Sequence, residues 1–289
     1  MKRRIGDRAD GFKLRKVDPL FRMIPHIMKD RTDSQVFFED TIYLEETHRF
    51  IRELRKEGYR LGFLHVVIAS MVRVMSQKPK INRFVVGKKI YARKEIVFSL
   101  AIKKEMTEEA EETIIKVKFD PKATIYDVIK VVNETVDLNK KEEEKNNMDL
   151  FVRMFSKFPN FIYGFGMNVV RSMDYMGILP RKIIDLSPFH SSVFVTDLGS
   201  IGIRPVFHHI YNLGTTTVFV SFGTRSKEQS INENNEVVNR KKMDLKIVAD
   251  ERVCDGYYFA QSLKLAKKIM TNPECLLTPP DEVVIDDQI

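Results

Sequence analysis

Cysteine is scarce: Cys254 and Cys275 are the only two in 289 residues. Two thiols are too few for a disulfide framework. Neither lies in a Cys-x-x-Cys pair or in a Cys/His cluster with zinc spacing, so disulfides and a structural metal are not expected to organise the chain. A reducing compartment is the expectation. Long apolar runs are missing too, and no stretch reaches the roughly 18 uninterrupted apolar residues of a membrane-spanning helix. Lys2, Arg3 and Arg4 open the chain without the apolar region of a secretory signal, so the expected location is cytoplasmic. No internal repeat is visible. His190 precedes Ser191 and Ser192, but no aspartate or nucleophile elbow accompanies it in sequence, which leaves a serine-hydrolase triad without support.

What is present is an ordinary globular composition, with 43% hydrophobic, 30% charged and 10% aromatic residues. The length suits a single α/β domain with a large core. The net charge of +8 arises from 48 basic residues spread among 40 acidic ones, so no nucleic acid partner is expected and most lysines belong to a solvated surface. A positive surface of this kind also suits an anionic cofactor.

Periodicity divides the chain into elements. Residues 1–18 are polar and basic and read as a flexible arm. A strand is expected over Val36–Leu44 and a helix over Glu46–Lys56. A core helix over Leu61–Gln77 sets Phe63, Val67, Met71 and Val74 on one stripe and includes His65 as a packing residue. A hairpin turns at Gly87 between Phe84 and Tyr91. Strands follow over Ile96–Ile102 and Glu112–Phe119, then a helix over Ile125–Leu138. The aromatic and methionine-rich stretch 148–180 reads as two packed helices. Further strands are expected over Ser192–Thr196, Val218–Gly223 and Asp244–Ala249, with Thr224–Asn239 as an exposed connection. A helix over Tyr257–Met270 precedes an acidic tail, 281–289. His208 and His209 are adjacent, so on regular structure they point apart and chelate a metal poorly.

Four stretches carry a resemblance. The first is Asp250-Glu251-Arg252-Val253-Cys254-Asp255-Gly256, followed by a helix and by Asn272-Pro273-Glu274-Cys275-Leu276-Leu277. The second is Val193-Phe194-Val195-Thr196-Asp197-Leu198-Gly199, the third a strand ending at Gly223, and the fourth the 61–77 helix with Pro79 and Asn82. Together they resemble the catalytic domain of the 2-oxoacid dehydrogenase acyltransferases (E2) and chloramphenicol acetyltransferase. The resemblance covers most of residues 20–279, so 19–280 reads as one acyltransferase-type domain, with 148–180 as an atypical helical insert and no lipoyl segment ahead of it.

That resemblance implies an α/β two-layer sandwich with a mixed sheet and helices on one face. It implies a homotrimer with its active site between subunits, and coenzyme A or an acyl-CoA as substrate, with no covalently bound cofactor. The family's motif histidine is a general base, and here that position is Glu251. Thr196 falls on the family's oxyanion-binding hydroxyl, while Asp197 replaces an asparagine. Asp255 falls on an aspartate that pairs with an arginine, here Arg22 by position or Arg252 nearby, and Gly256 permits a tight passage into the next helix. Two readings of Glu251 stay open: a carboxylate base with a raised pKa, or a residue in a site that has lost acyl transfer. His208 and His209 are the alternative base. The function expected is transfer of an acyl group between a CoA or other thioester and a thiol or hydroxyl. The other function is a trimeric binding or scaffold protein without catalysis.

Overall fold

In a computed structural model of the chain, the structure describes residues 3–103, 112–141, 159–231 and 234–289. The strands are β1 (Gly11–Lys13), β2 (Gln35–Tyr43), β3 (Arg83–Val86), β4 (Lys89–Arg93), β5 (Ile96–Lys103), β6 (Glu112–Phe119), β7 (Val193–Asp197), β8 (Val218–Ile231) and β9 (Val237–Asp250). The helices are α1 (Pro19–Ile27), α2 (Glu45–Lys56), α3 (Phe63–Gln77), α4 (Ile125–Lys141), α5 (Asn160–Met176), α6 (Arg181–Leu186) and α7 (Gly256–Thr271).

Six strands form one sheet in the order β2-β9-β8-β7-β5-β6. The pairs β5/β7 and β7/β8 are parallel and the rest antiparallel, so the sheet is mixed. Helices α2, α3, α4 and α7 cover one face, where Phe98, Val195, Val220, Leu245 and Ile247 meet Ile68, Val72, Ile125, Val128 and Phe259. Burying such side chains, each making tens of dispersion contacts, is what holds the two layers together. The periodicity of α3 is its reason for being central: 13 of its side chains are buried. His65 packs there and also closes the helix start, its Nδ1 accepting the Gly62 N–H at 3.1 Å. The opposite face carries a small cluster of Phe194, Phe219 and Val248 under Ile210, crossed by the irregular segment 203–211. These findings match the expected two-layer architecture.

Two expectations need correcting. The N-terminal segment is not a loose arm. Its β1 pairs with β4 in a second, three-stranded sheet, β1-β4-β3. Arg8 is buried against Asp10 at 2.9 Å and Asp174 at 2.6 Å, because a guanidinium enters a protein interior only with its charge matched. The acidic tail is likewise tied down. Asp286 meets buried Arg83 through both oxygens, at 2.6 and 2.7 Å, and the Gln288 carbonyl accepts from the Arg15 and Lys16 amides.

Finally, 224–239 is no exposed connection. β8 and β9 continue as a two-stranded arm, in register from Arg225/Met243 to Ile231/Val237 past an irregularity at Phe222. Polar side chains on both faces of that arm erase the apolar alternation that sequence reading depends on. Within the 148–180 insert, where two helices are expected, α5 is helical, while 148–158 lies outside the described residues.

Candidate active site

The motif loop begins where β9 ends. Asp250 is fully buried and accepts from Arg252 Nε and Nη2, both at 2.8 Å, and from the Arg252 amide at 3.1 Å. Arg31, also buried, approaches the same carboxylate at 3.5 Å, and burial lowers its pKa against the opposing pull of Asp250. Arg252 then donates to the Met28 and Lys29 carbonyls. Two arginines and one aspartate thus fasten the loop to the segment leaving α1.

Glu251 sits between these two clamped residues. Its amide donates to the Ser34 carbonyl at 3.0 Å. Its side chain is half-buried and has no hydrogen bond or ion pair among the described residues.

The expected pairing of Asp255 with an arginine is not formed among the described residues. Asp255 is exposed and caps α7, accepting the Tyr258 amide at 2.9 Å. A carboxylate at this position satisfies an otherwise free helix-end donor and favours the positive end of the helix. Arg22 instead donates to the Val17 carbonyl, and Arg252 belongs to Asp250. Gly256 is not forced by packing, since a Cβ there would meet nothing within 4 Å. Cys254 is 2% exposed and burial pushes its thiol pKa far up, which removes it as a nucleophile.

The loop separates two cavities. One, of about 280 Å³, lies between α1 and the loop and is lined by Phe21, Ile24, Lys80, Arg83, Cys254 and Asp255. The other, of about 520 Å³, is lined by Arg31, Arg171, Asp174, Asn212 and Arg252 among others.

Thr196 lies elsewhere. It is the penultimate residue of β7, 9% exposed, with Ser221 beside it on β8 and Lys246 next on β9. Glu251 is five residues beyond Lys246, so at ~3.3 Å per residue it sits about 16 Å along the sheet, at the opposite end from Thr196. The structure therefore does not bring the two together within one chain. Ser221 Oγ, in the same row as Thr196, is buried without a hydrogen-bond partner.

Asp197 caps the short turn 198–201 through the Ser200 amide at 3.2 Å. Burial pushes its carboxyl pKa up, partly offset by the Ser200 and Gly199 amides. Gly199 is required where it is, because a Cβ would fall 2.7 Å from the Gly223 carbonyl oxygen. That contact joins two of the stretches singled out in the sequence.

His208 and His209 sit on the irregular segment, not on a strand or helix. His208 stacks on Phe219 at 4.5 Å between ring centroids, and His209 is exposed. His190 does have an aspartate, which the sequence hides because it comes from α5. His190 Nε2 lies 3.2 Å from Asp174 and its Nδ1 lies 2.7 Å from Ser187 Oγ. Burial lowers the His190 pKa, opposed by Asp174. Asp174 is desolvated too, yet His190 and Arg8 hold its pKa down at about 2. This buried cluster anchors α5. Sequence reading missed Arg31, Arg83, Asp174 and Asp286, whose partners are far away along the chain.

Among the described residues no helix is long and apolar enough to cross a membrane. Residues 187–278 match the family model for the 2-oxoacid dehydrogenases acyltransferase (catalytic domain). No curated protein matches the chain in sequence. Among solved structures, the chain is similar to a probable dihydrolipoamide acetyltransferase from Listeria monocytogenes, at 15% identity and a TM-score of 0.56, covering 91% of this chain and 97% of that one. It is also similar to the dihydrolipoamide acetyltransferase of Azotobacter vinelandii, solved in an investigation of a serine, a histidine and an asparagine in its catalytic mechanism. That match has 13% identity, a TM-score of 0.58, and coverage of 91% and 94%. A chloramphenicol acetyltransferase aligns at 10% identity and a TM-score of 0.53, over 89% of this chain and 99% of that one. The fold is that of the acyltransferase catalytic core.

Proposed function

We propose that this protein is a CoA-dependent acyltransferase of the E2 catalytic-domain type, working as a homotrimer with a transfer centre completed between subunits. In this centre Glu251 of one subunit faces Thr196 of the next. The observation that carries the reading is the placement of these two residues at opposite ends of one sheet, on a fold whose 187–278 segment matches the acyltransferase family. Two groups about 16 Å apart cannot serve one acyl transfer in a single chain. The side of the sheet crossed by segment 203–211 also exposes Phe37, Val206 and Phe207, apolar surface suited to a neighbouring subunit.

Glu251 takes the proton of a thiol or hydroxyl acceptor, and Thr196 donates to the oxyanion that forms when that acceptor attacks the thioester carbonyl. Collapse of this intermediate breaks the C–S bond and releases the CoA thiolate, which takes the proton back from Glu251. The spacing supports the assignment: the catalytic histidine and asparagine named for the Azotobacter enzyme are four residues apart, as are Glu251 and Asp255. Asp255 holds the start of α7 and so sets the loop that carries Glu251. Arg252 supports it through Asp250.

The second reading is a trimer that binds without transferring, favoured by the half-exposed, unpartnered Glu251 carboxylate. Thiol release from acetyl-CoA separates the two. Under the first reading the purified protein turns over and Glu251→Gln loses that activity. Thr196→Ala loses about 10²-fold. Mixed trimers refolded from Glu251→Gln and Thr196→Ala subunits regain part of it, because some interfaces then hold both intact residues. Inactive wild-type protein that gains transfer with Glu251→His supports the second reading. If the wild type turns over and neither Glu251→Gln nor Glu251→His alters the rate, the base is elsewhere and His208 and His209 are the next residues to replace.

A further inference from the structure

The groove beside the β3–β4 turn gathers positive charge without matching acid. It has a volume of about 570 Å³ and is lined by Lys13, Arg15, Arg22, His26, Lys88 and Lys89, with no carboxylate among its lining residues. Among the described residues, Arg15 alone of these has an ion-pair partner, Asp7 at 3.2 Å. A solvated basic face normally interleaves its charges with acids. This protein does so elsewhere, at Lys242–Glu228, Lys246–Glu39 and Lys267–Asp40.

The turn that shapes the groove is built at a conformational cost. Gly87 and Lys88 have φ of 56° and 59°, a two-residue turn whose second position favours glycine or asparagine. Gly87 has no alternative, because a Cβ would lie 2.4 Å from the Tyr175 carbonyl oxygen. Lys88 does have alternatives, yet a lysine occupies the left-handed position and puts a cation at the rim. The neighbouring 520 Å³ cavity shares Gly87 and Lys88 and holds the buried Arg31, whose Nε makes no hydrogen bond.

We propose that this groove is a binding site for a small molecule carrying a pyrophosphate or several phosphates, whose oxygens are met by Lys13, Arg22, Lys88 and Lys89. Unpaired cations around a concave site recognise dense negative charge, and its volume accommodates a ligand of nucleotide size. The site requires neither Glu251 nor Thr196, so it stands or falls separately from the transfer chemistry. Two sources share this chemistry: the phosphates of coenzyme A, or a distinct phosphorylated ligand.

The test is calorimetric titration of the intact protein with inorganic pyrophosphate at low salt. Saturable binding is expected, weakened about tenfold or more by Arg22→Glu and by Lys88→Glu. It should be unchanged in Lys264→Glu, an exposed lysine on α7. Absence of saturable binding, or equal weakening in all three variants, overturns the proposal. A competition arm assigns the source. Coenzyme A displacing pyrophosphate, with its own binding weakened by Lys88→Glu, identifies the groove with the carrier's phosphates, whereas simultaneous binding of both identifies a separate ligand.

Discussion

The two ends of the central sheet are built differently. At the β9 end, buried charges pair with buried charges: Asp250 with Arg252 and Arg31, and, lining the same cavity, Asp174 with Arg8 and His190. At the Thr196 end the polar groups rest on main chain and on half-exposed contacts. Asp197 caps a turn, Lys246 reaches the exposed Glu39, and Ser221 Oγ has no partner. The first end depends on its buried charges staying matched. The second should tolerate change better.

Asp250→Ala should test this contrast most severely. It leaves Arg31 and Arg252 buried without a carboxylate and should cost about 3–5 kcal/mol in denaturant unfolding. A loss below about 1 kcal/mol would show that the motif end is no more dependent on its charges than the other.

Acid should find the same end. Asp174 has a folded-state pKa of about 2, below its ordinary value. It therefore stabilises the fold above the unfolded carboxylate pKa of roughly 4 and loses that contribution as pH falls toward 2. Thermal melts from pH 5 to 2 should show this loss in the wild type and a shallower one in Asp174→Asn. Equal slopes would remove Asp174 as the cause.

Smaller effects discriminate the roles of single residues. Asp255→Ala should cost about 1 kcal/mol, the worth of a helix cap. A cost several times larger would point to an arginine partner supplied from outside the chain. Ser221→Ala at the tolerant end should be neutral or slightly stabilising, because it removes a buried hydroxyl that bonds to nothing. Gly256→Ala should also be near neutral by thermal melting, given the open space around its Cα.

Much of the architecture was legible because its helices and inner strands bury one face. The spacing of Phe63, Val67, Met71 and Val74 gives α3 its position, and the Gly87 turn gives the β3–β4 hairpin. The β8–β9 arm was not legible, since Glu228, Arg240 and Lys242 on one face and Arg225, Lys227 and Lys241 on the other repeat charge where burial would have left an apolar period. In the candidate site, the motif stretch and Thr196 were readable as residues, but their separation was not, because it depends on strand register. The role of Asp255 was within reach: an aspartate directly before a helical period is an N-cap signal. The resemblance directed attention instead to an arginine. Arg31 and Asp286 carried no local signal, being single charges whose partners lie far along the chain.

That separation has a consequence for the order in which the molecule assembles. Arg8 waits for Asp174, 166 positions later, and Arg83 for Asp286, 203 positions later. Until those carboxylates arrive, a collapsing intermediate must keep Arg83 in water or bury it unpaired, and Arg8 has Asp10 alone to match its charge. The three-stranded sheet, which holds Arg83 and whose first strand follows Arg8, should therefore close late, after the helices and the central strands have met. Folding kinetics should then show a slow final phase that Asp286→Asn alters while leaving the early burial of α3 untouched.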